Sequence, residues 1–337
     1  VVYLERTKGI SSTQIRNEHS VRLGIVGNEI ILDRFLSEIK YVSGIEVAGA
    51  YTPLDAVDSK YKSIRFHQFP LYRTYASLLE DVDAVYINAP LKLRDNLIEE
   101  ALVQGKHVLT EFPFSLNYQK AKEFVKVASE KSLVLMEGLK TAYCPAFGKM
   151  ISLVKSGRIG KILSIEANFT QILGDDLPNQ VRIAGGSVAS LGAYPLLVVF
   201  KLLGYNYKNI EFITHQENGI DTMTRMNFVY DGAIATSLVA INAKAEGALT
   251  ISGTKGYVYV PAPWWKTEYY ELRYEDINNN SKFFYKFEGE GLRYEIIEFI
   301  KRIKDNNMMA GSLTCMDMLA ESKVIDCFMK DKYNVPF

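Results

Sequence analysis

The sequence predicts an α/β chain: a doubly wound parallel sheet over residues 18–143, then an α+β domain over 144–337 built on a large open antiparallel sheet. The runs VRLGIVG, IEVAGAY, DAVYINA, KHVLTEF and SLVLME are short, β-branched and nearly continuous, as strands buried on both faces of a parallel sheet should be. Between them lie helical patterns such as RDNLIEEALVQG and NYQKAKEFVKVASEK, with apolar residues three and four apart and a closing glycine or lysine. Strand and helix alternate over residues 21–137, which makes a doubly wound α/β domain. After a helix near Pro145 to Ser156 the texture changes. KILSIEANFTQIL, NIEFITHQ, MTRMNFVY, AIATSLVAIN, GALTISG, GYVYVP, TEYYELRY and SKFFYKFEG succeed one another across short Gly or Asn turns, consistent with one antiparallel sheet. One helix over 187–203 is inserted early, and two more near 291–305 and 314–331 close the chain.

Bulk properties narrow the function. A chain of 337 residues, 48% of them hydrophobic, can bury two substantial cores. Lys plus Arg equal Asp plus Glu at 39 each, so no basic excess favours nucleic acid or an anionic membrane. The longest apolar stretch, ASLGAYPLLVVFKLLG, is interrupted by glycines, Pro195 and Lys201 and reads as a buried helix rather than a membrane span. Three cysteines (Cys144, Cys315, Cys327) without metal-ligand spacing suit a reducing cytoplasm. The four histidines, His19, His67, His107 and His215, match no metal motif. The chain begins at Val1 rather than methionine, from which a longer natural protein is expected.

GKHVLTEFP, LMEGLKTAYCP and AGGSVASLGAYP, in that order, resemble landmarks of the glucose-fructose oxidoreductase / inositol dehydrogenase (Gfo/Idh/MocA) family, and the similarity runs over residues 21–335. The resemblance implies NAD or NADP as cofactor and a small sugar or polyol derivative as substrate. It also implies a homodimer or homotetramer assembled through the sheet. The family's Glu-Lys-Pro triplet stands here as Glu111-Phe112-Pro113, so the lysine that lies beside the nicotinamide in the family is a phenyl ring. Its Gly-x-Gly-x-x-(Gly/Ala) turn becomes Gly27, Asn28, Glu29, Ile30, Ile31, Leu32, keeping the first glycine alone. A carboxylate at Glu29 would repel a phosphate about 4 Å away by roughly 4 kcal/mol at an effective dielectric near 20. The second strand ends Ala50-Tyr51-Thr52, without the acid that holds a ribose hydroxyl. Weak or absent dinucleotide binding is therefore expected beside the family's ordinary activity. The candidate cofactor contacts are Gly27, Asn28, Glu29, Tyr51, Pro90, Glu111 and Pro113.

On the substrate side, Gly185 to Pro195 match the family's GGGALLDxGxYP segment, with Ser190 for its aspartate and Tyr194 at its acid/base position. Tyr194 is either a proton carrier or a packed helix tyrosine. With Phe112 for a neighbour, it should be a poor base at neutral pH. The Glu-Ala-x-x-x-Arg segment appears from Glu137 without its arginine, leaving Lys140 as a cation that either reaches the crevice or is solvated. Glu111, Lys140 and Tyr194 are the catalytic candidates, and no metal site is expected. Trp264 and Trp265 either line a pocket or belong to a subunit interface on the open sheet.

The segment LERTKGISSTQIR, residues 4–16, resembles the phosphate-contacting RTxGISTTxI end of cytidylyltransferases of the glycerol-3-phosphate type, through Arg6, Thr7, Gly9, Ile10, Ser11, Ser12, Thr13 and Ile15. Residues 1–17 are therefore expected to end an upstream cytidylyltransferase domain, which moves the expected substrate towards polyol phosphates or nucleotide-linked sugars of surface polymers. Two functions stay open: a working oxidoreductase, or a degraded relative that serves binding or oligomerisation.

Overall fold

The computed structural model describes residues 20–27, 29–53, 69–174, 181, 185–306 and 311–337, and of 29–33 the backbone alone. The first sheet holds β1 (Val21–Gly27), β2 (Ile45–Tyr51), β3 (Ala84–Asn88), β4 (His107–Glu111) and β5 (Leu135–Gly138) in the order β2-β1-β3-β4-β5, all parallel. An isolated parallel bridge from Ala50 to Leu71 extends it beyond β2, so the first two elements and this bridge run outward from β1 in one direction and β3 to β5 in the other. That reversal beside β1 is the topological switch point where open α/β sheets bind ligands. The helices α1 (Glu29–Ile39), α2 (Tyr75–Asp81), α3 (Leu91–Val103) and α4 (Tyr118–Glu130) cover its faces. Thr74 caps α2 by accepting from the Ser77 amide, and Asn117 caps α4 by accepting from Gln119 and Lys120, satisfying amides that the first turn cannot.

Two short helices, α5 (Lys140–Tyr143) and α6 (Pro145–Lys155), lead into the second sheet. It holds β6 (Ile162–Thr170), β7 (Asn209–Glu217), β8 (Ile220–Tyr230), β9 (Ala233–Ala240), β10 (Leu249–Gly253), β11 (Tyr257–Val260), β12 (Tyr269–Arg273), β13 (Ser281–Phe284) and β14 (Asn334–Pro336). Their order is β13-β12-β11-β10-β6-β9-β8-β7-β14. The expected large sheet is thus present, and it is mixed: β6 pairs with β9, and β14 with β7, in parallel. A period-two pattern records which residues face inward but not which way the neighbouring strand runs, and β14 is too short to show a period at all.

The expected helix over 187–203 is two, α7 (Ser187–Leu191) and α8 (Ala193–Leu203), turning at Gly192, where a Cβ would fall 2.5 Å from the Val188 carbonyl oxygen. The chain closes with α9 (Leu292–Lys304) and α10 (Cys315–Met329), and both return to the parallel-sheet half. Arg293 on α9 grips Glu38 on α1 with two bonds, Nε to Oε2 at 2.8 Å and Nη2 to Oε1 at 3.0 Å. On α10, the Ser322 hydroxyl donates to the Ser115 carbonyl at 3.0 Å. The tryptophans are not on the open sheet. Trp264 is fully buried and donates Nε1–H to the Asn168 carbonyl, and Trp265 stacks on Phe169 with centroids 3.6 Å apart. An indole that can satisfy its N–H inside gains more from burial than from a wet sheet face. The partly exposed set there is instead Tyr257, Tyr259, Tyr269, Glu271 and Arg273, with the Arg273 guanidinium 4.7 Å from the Tyr259 ring centroid.

Candidate active site

The site forms where the parallel strands end. Gly27, the last residue of β1, has φ +135°, and a Cβ there would fall 1.8 Å from the Asn88 carbonyl oxygen. The glycine therefore lets the exits of β1 and β3 touch, which a side chain at this position would prevent. Beside it the Asn88 side-chain amide nitrogen is buried without a hydrogen-bond partner. Pro90 is buried at the N-cap of α3 and its carbonyl accepts from the Leu93 amide. Tyr51 ends β2 with its ring against Tyr75, centroids 5.7 Å apart. Asn28 and the side chain of Glu29 lie outside the described residues, as do residues 4–16.

Buried Arg94 straps the exits of β3 and β4 together. It donates through Nη1 to the carbonyls of Pro113 (2.6 Å) and Glu111 (3.1 Å), and through Nη2 to that of Ala89 (2.9 Å). This clamp holds the Glu111-Phe112-Pro113 segment, whose Phe112–Pro113 peptide is cis, whatever side chain stands at 112. Phe112 itself is buried among apolar neighbours, so no cation stands at that position. Glu111 accepts a hydrogen bond from the Tyr86 hydroxyl. Burial raises its pKa, and the Tyr86 bond and the charges of Arg94 and Lys140 only partly oppose this.

A pocket of about 170 Å³ opens over this edge, lined by Glu111 and Gly138 from the parallel sheet, Lys140 from α5, Tyr194 from α8 and Glu290, Leu292 and Glu295 at α9, with Arg34 from α1. The three catalytic candidates from the sequence, Glu111, Lys140 and Tyr194, are thus brought together, although they are far apart along the chain. Lys140 is not a solvated surface lysine. Burial and the neighbouring Lys266 charge lower its pKa, while Glu295, Glu290 and Glu111 act against them. Tyr194 packs edge-on against Phe169, centroids 4.8 Å apart, and its pKa is raised by burial and then by Glu111 and Glu295. The charges acting on Tyr194 are anionic, so the phenol is held in its neutral form.

Glu295 and Asp221 were not singled out from the sequence. Glu295 sits in the buried stripe of α9 with Leu292, Ile296 and Phe299, and a carboxylate within such a stripe was the available signal. Asp221 on β8 accepts from the Ser187 hydroxyl (2.7 Å) and the Val188 amide (2.8 Å), and a Cβ on Gly186 would fall 1.7 Å from its Oδ1. The Gly185-Gly186-Ser187 run is accordingly explained by the seating of α7. Among the described residues, no group of three or more His, Cys, Asp or Glu is placed to hold a metal ion, and no helix is long and apolar enough to cross a membrane.

A parallel sheet with its pocket at the carboxyl edge, backed by a large mixed sheet, defines a dehydrogenase-type architecture. The chain belongs to the Gfo/Idh/MocA oxidoreductase family: the family's NAD-binding Rossmann fold matches residues 21–139 and its C-terminal domain residues 147–259. The cofactor for which this fold is built is NAD or NADP. The dTDP-3,4-didehydro-2,6-dideoxy-alpha-D-glucose 3-reductase of Actinomadura kijaniata is 30% identical over 189 residues, 55% of each chain. The scyllo-inositol 2-dehydrogenase (NADP(+)) IolU of Bacillus subtilis is 24% identical over 318 residues, 91% of this chain and 95% of that protein. The crystal structure of KijD10, a 3-ketoreductase from Actinomadura kijaniata in complex with NADP and TDP-benzene, superposes with a TM-score of 0.79 at 22% identity, covering 94% of this chain and 99% of that one.

Proposed function

We propose that the protein is an NAD(P)-dependent oxidoreductase that interconverts a hydroxyl and a keto group on a sugar, polyol or nucleotide-linked sugar. The observation that carries this reading is the convergence of Glu111, Lys140 and Tyr194 in one pocket at the carboxyl edge of the parallel sheet. The close approach at Gly27 and the unmade donor of Asn88 fit a dinucleotide lying across the switch point. Bound there, a nicotinamide accepts or supplies the hydride. Lys140 provides the positive charge that Phe112 does not, and the pocket walls exclude bulk water from the reacting carbon. Curated relatives named for a nucleotide-linked sugar and for an inositol support the substrate class. The resemblance of residues 4–16 to a cytidylyltransferase end supports a nucleotide-linked or phosphorylated polyol in surface-polymer synthesis, in fusion with such a domain. Assembly into a dimer or tetramer through the open sheet belongs to the same reading.

Phe112 and the neutral, anion-flanked Tyr194 favour a second reading, a degraded module that keeps the fold for binding or assembly. Calorimetric titration with NADH and NADPH, followed by absorbance assays with sugars and polyols, separates the two. Binding together with turnover while Phe112 is in place supports the oxidoreductase. Binding recovered by Glu29→Gly with Leu32→Ala, and turnover gained only with Phe112→Lys, supports the degraded module.

A further inference from the structure

We propose that Glu295 is the proton-exchanging residue of this pocket, acting on the substrate oxygen whose carbon exchanges hydride with the nicotinamide; the assignment rests on the oxidoreductase reading above. Glu295 is 1% exposed, lines the pocket, and neither of its carboxyl oxygens has a hydrogen-bond partner. A buried carboxyl with both oxygens unmade costs free energy unless something supplies the missing bonds. An ideal Cβ on Gly138 would lie at ordinary contact distance from both carboxyls, 3.5 Å from Glu295 Oε1 and 3.6 Å from Glu111 Oε1, so the two acids flank the end of β5.

The surroundings fix its state. Burial, then the Glu111 charge, holds the Glu295 carboxyl protonated well above the ordinary carboxylate range, and Lys140 pulls the other way. Arg34 on α1 and Glu290 before α9 face the same space, and the hydroxyls of Tyr86 and Tyr143 lie within its electrostatic reach. Burial first, and then the Glu111 charge, oppose ionisation of Tyr194, so its phenol is the weaker acid of the two. The Arg293–Glu38 grip two residues away fixes the helix that presents the carboxyl.

In the reducing direction the Glu295 O–H bond breaks and its proton joins the carbonyl oxygen. The C=O π pair becomes the new O–H bond, and a C–H bond forms from the hydride of NADH or NADPH, which is oxidised by two electrons. Glu295 is left as a carboxylate near the Lys140 ammonium and regains its proton from solvent. Oxidation of an alcohol runs the same steps in reverse.

The test uses the whole chain with NADPH, with glutamate labelled at Cδ for carbon NMR, in the wild type and in Glu295→Gln, Glu295→Asp and Tyr194→Phe. One carboxyl resonance, absent from Glu295→Gln, should be protonated at pH 7 and should shift when NADPH saturates the protein. With 2-keto-myo-inositol as probe, turnover should fall at least about 100-fold in Glu295→Gln, by more than in Tyr194→Phe, and recover in part in Glu295→Asp, with NADPH affinity unchanged. A Glu295 carboxyl that is ionised at pH 7 and indifferent to NADPH overturns the assignment by itself, whether or not the probe is turned over. Full turnover in Glu295→Gln with loss in Tyr194→Phe also overturns it and leaves the oxidoreductase reading intact. Failure of the wild type to bind either reduced cofactor overturns both.

Discussion

Gly27 and Gly186 show what a single residue can reveal. Each matches a family motif, and each is required by a backbone or carboxylate that a Cβ would strike, so the match speaks for the fold before it speaks for chemistry. Gly27→Ala should cost about 3 kcal/mol, from strain at φ +135° and the contact with the Asn88 carbonyl, as measured by urea unfolding. Lys140→Met is expected to leave the unfolding midpoint nearly unchanged and to lower turnover by about 100-fold or more, measured at saturating NADPH. Lys140 and Tyr194 could be found from the sequence because they stand in recognisable segments. Glu295 left only its place in the buried stripe of α9 as a sign, because its pocket neighbours come from β4, β5, α5 and α8 and no local spacing encodes their meeting.

Among the elements, α9 carries the most consequence. Its Arg293 holds Glu38 bidentately, and this pairing keeps the Glu38 carboxyl below its ordinary range through the hydrogen bonds that Arg293 donates. Glu38→Gln should destabilise the protein by about 2 kcal/mol and loosen the seat of α9, read as faster amide exchange over residues 292–304. Arg293→Lys should do most of the same damage, since an ammonium cannot make the paired bonds. The strand runs of both sheets were legible because burial on one or two faces writes a period into the sequence. The parallel pairing of β6 with β9, the break at Gly192 and the inward turn of Trp264 were not, for each depends on what lies across the chain.

Across the whole molecule, buried carboxyls set the response to pH. Glu137 on β5 and Glu321 on α10 face each other in the interior, and burial pushes Glu137 up to about 7 and Glu321 well above its ordinary value. Both folded values lie above the unfolded one, so the native state holds more protons and stability falls as pH rises from about 4.5 to 7. Glu321→Gln removes one member of the pair. It should raise stability at pH 8 by about 1–3 kcal/mol and flatten the slope between pH 5 and 8, as followed by urea unfolding. If the open sheet is an interface, light scattering should find a dimer or tetramer at micromolar concentration, and Tyr259→Glu should shift it towards monomer.

Because α9 supplies Glu295 and follows the whole of both sheets except β14, the order of synthesis matters. A ribosome that has released residues up to Phe284 has delivered Gly27, Glu111, Lys140 and Tyr194, but a pocket with one wall absent. Premature termination in that interval would leave the five parallel strands without the wall that α9 supplies to the pocket. If this pocket is the active site, a truncated copy is silent rather than unselective.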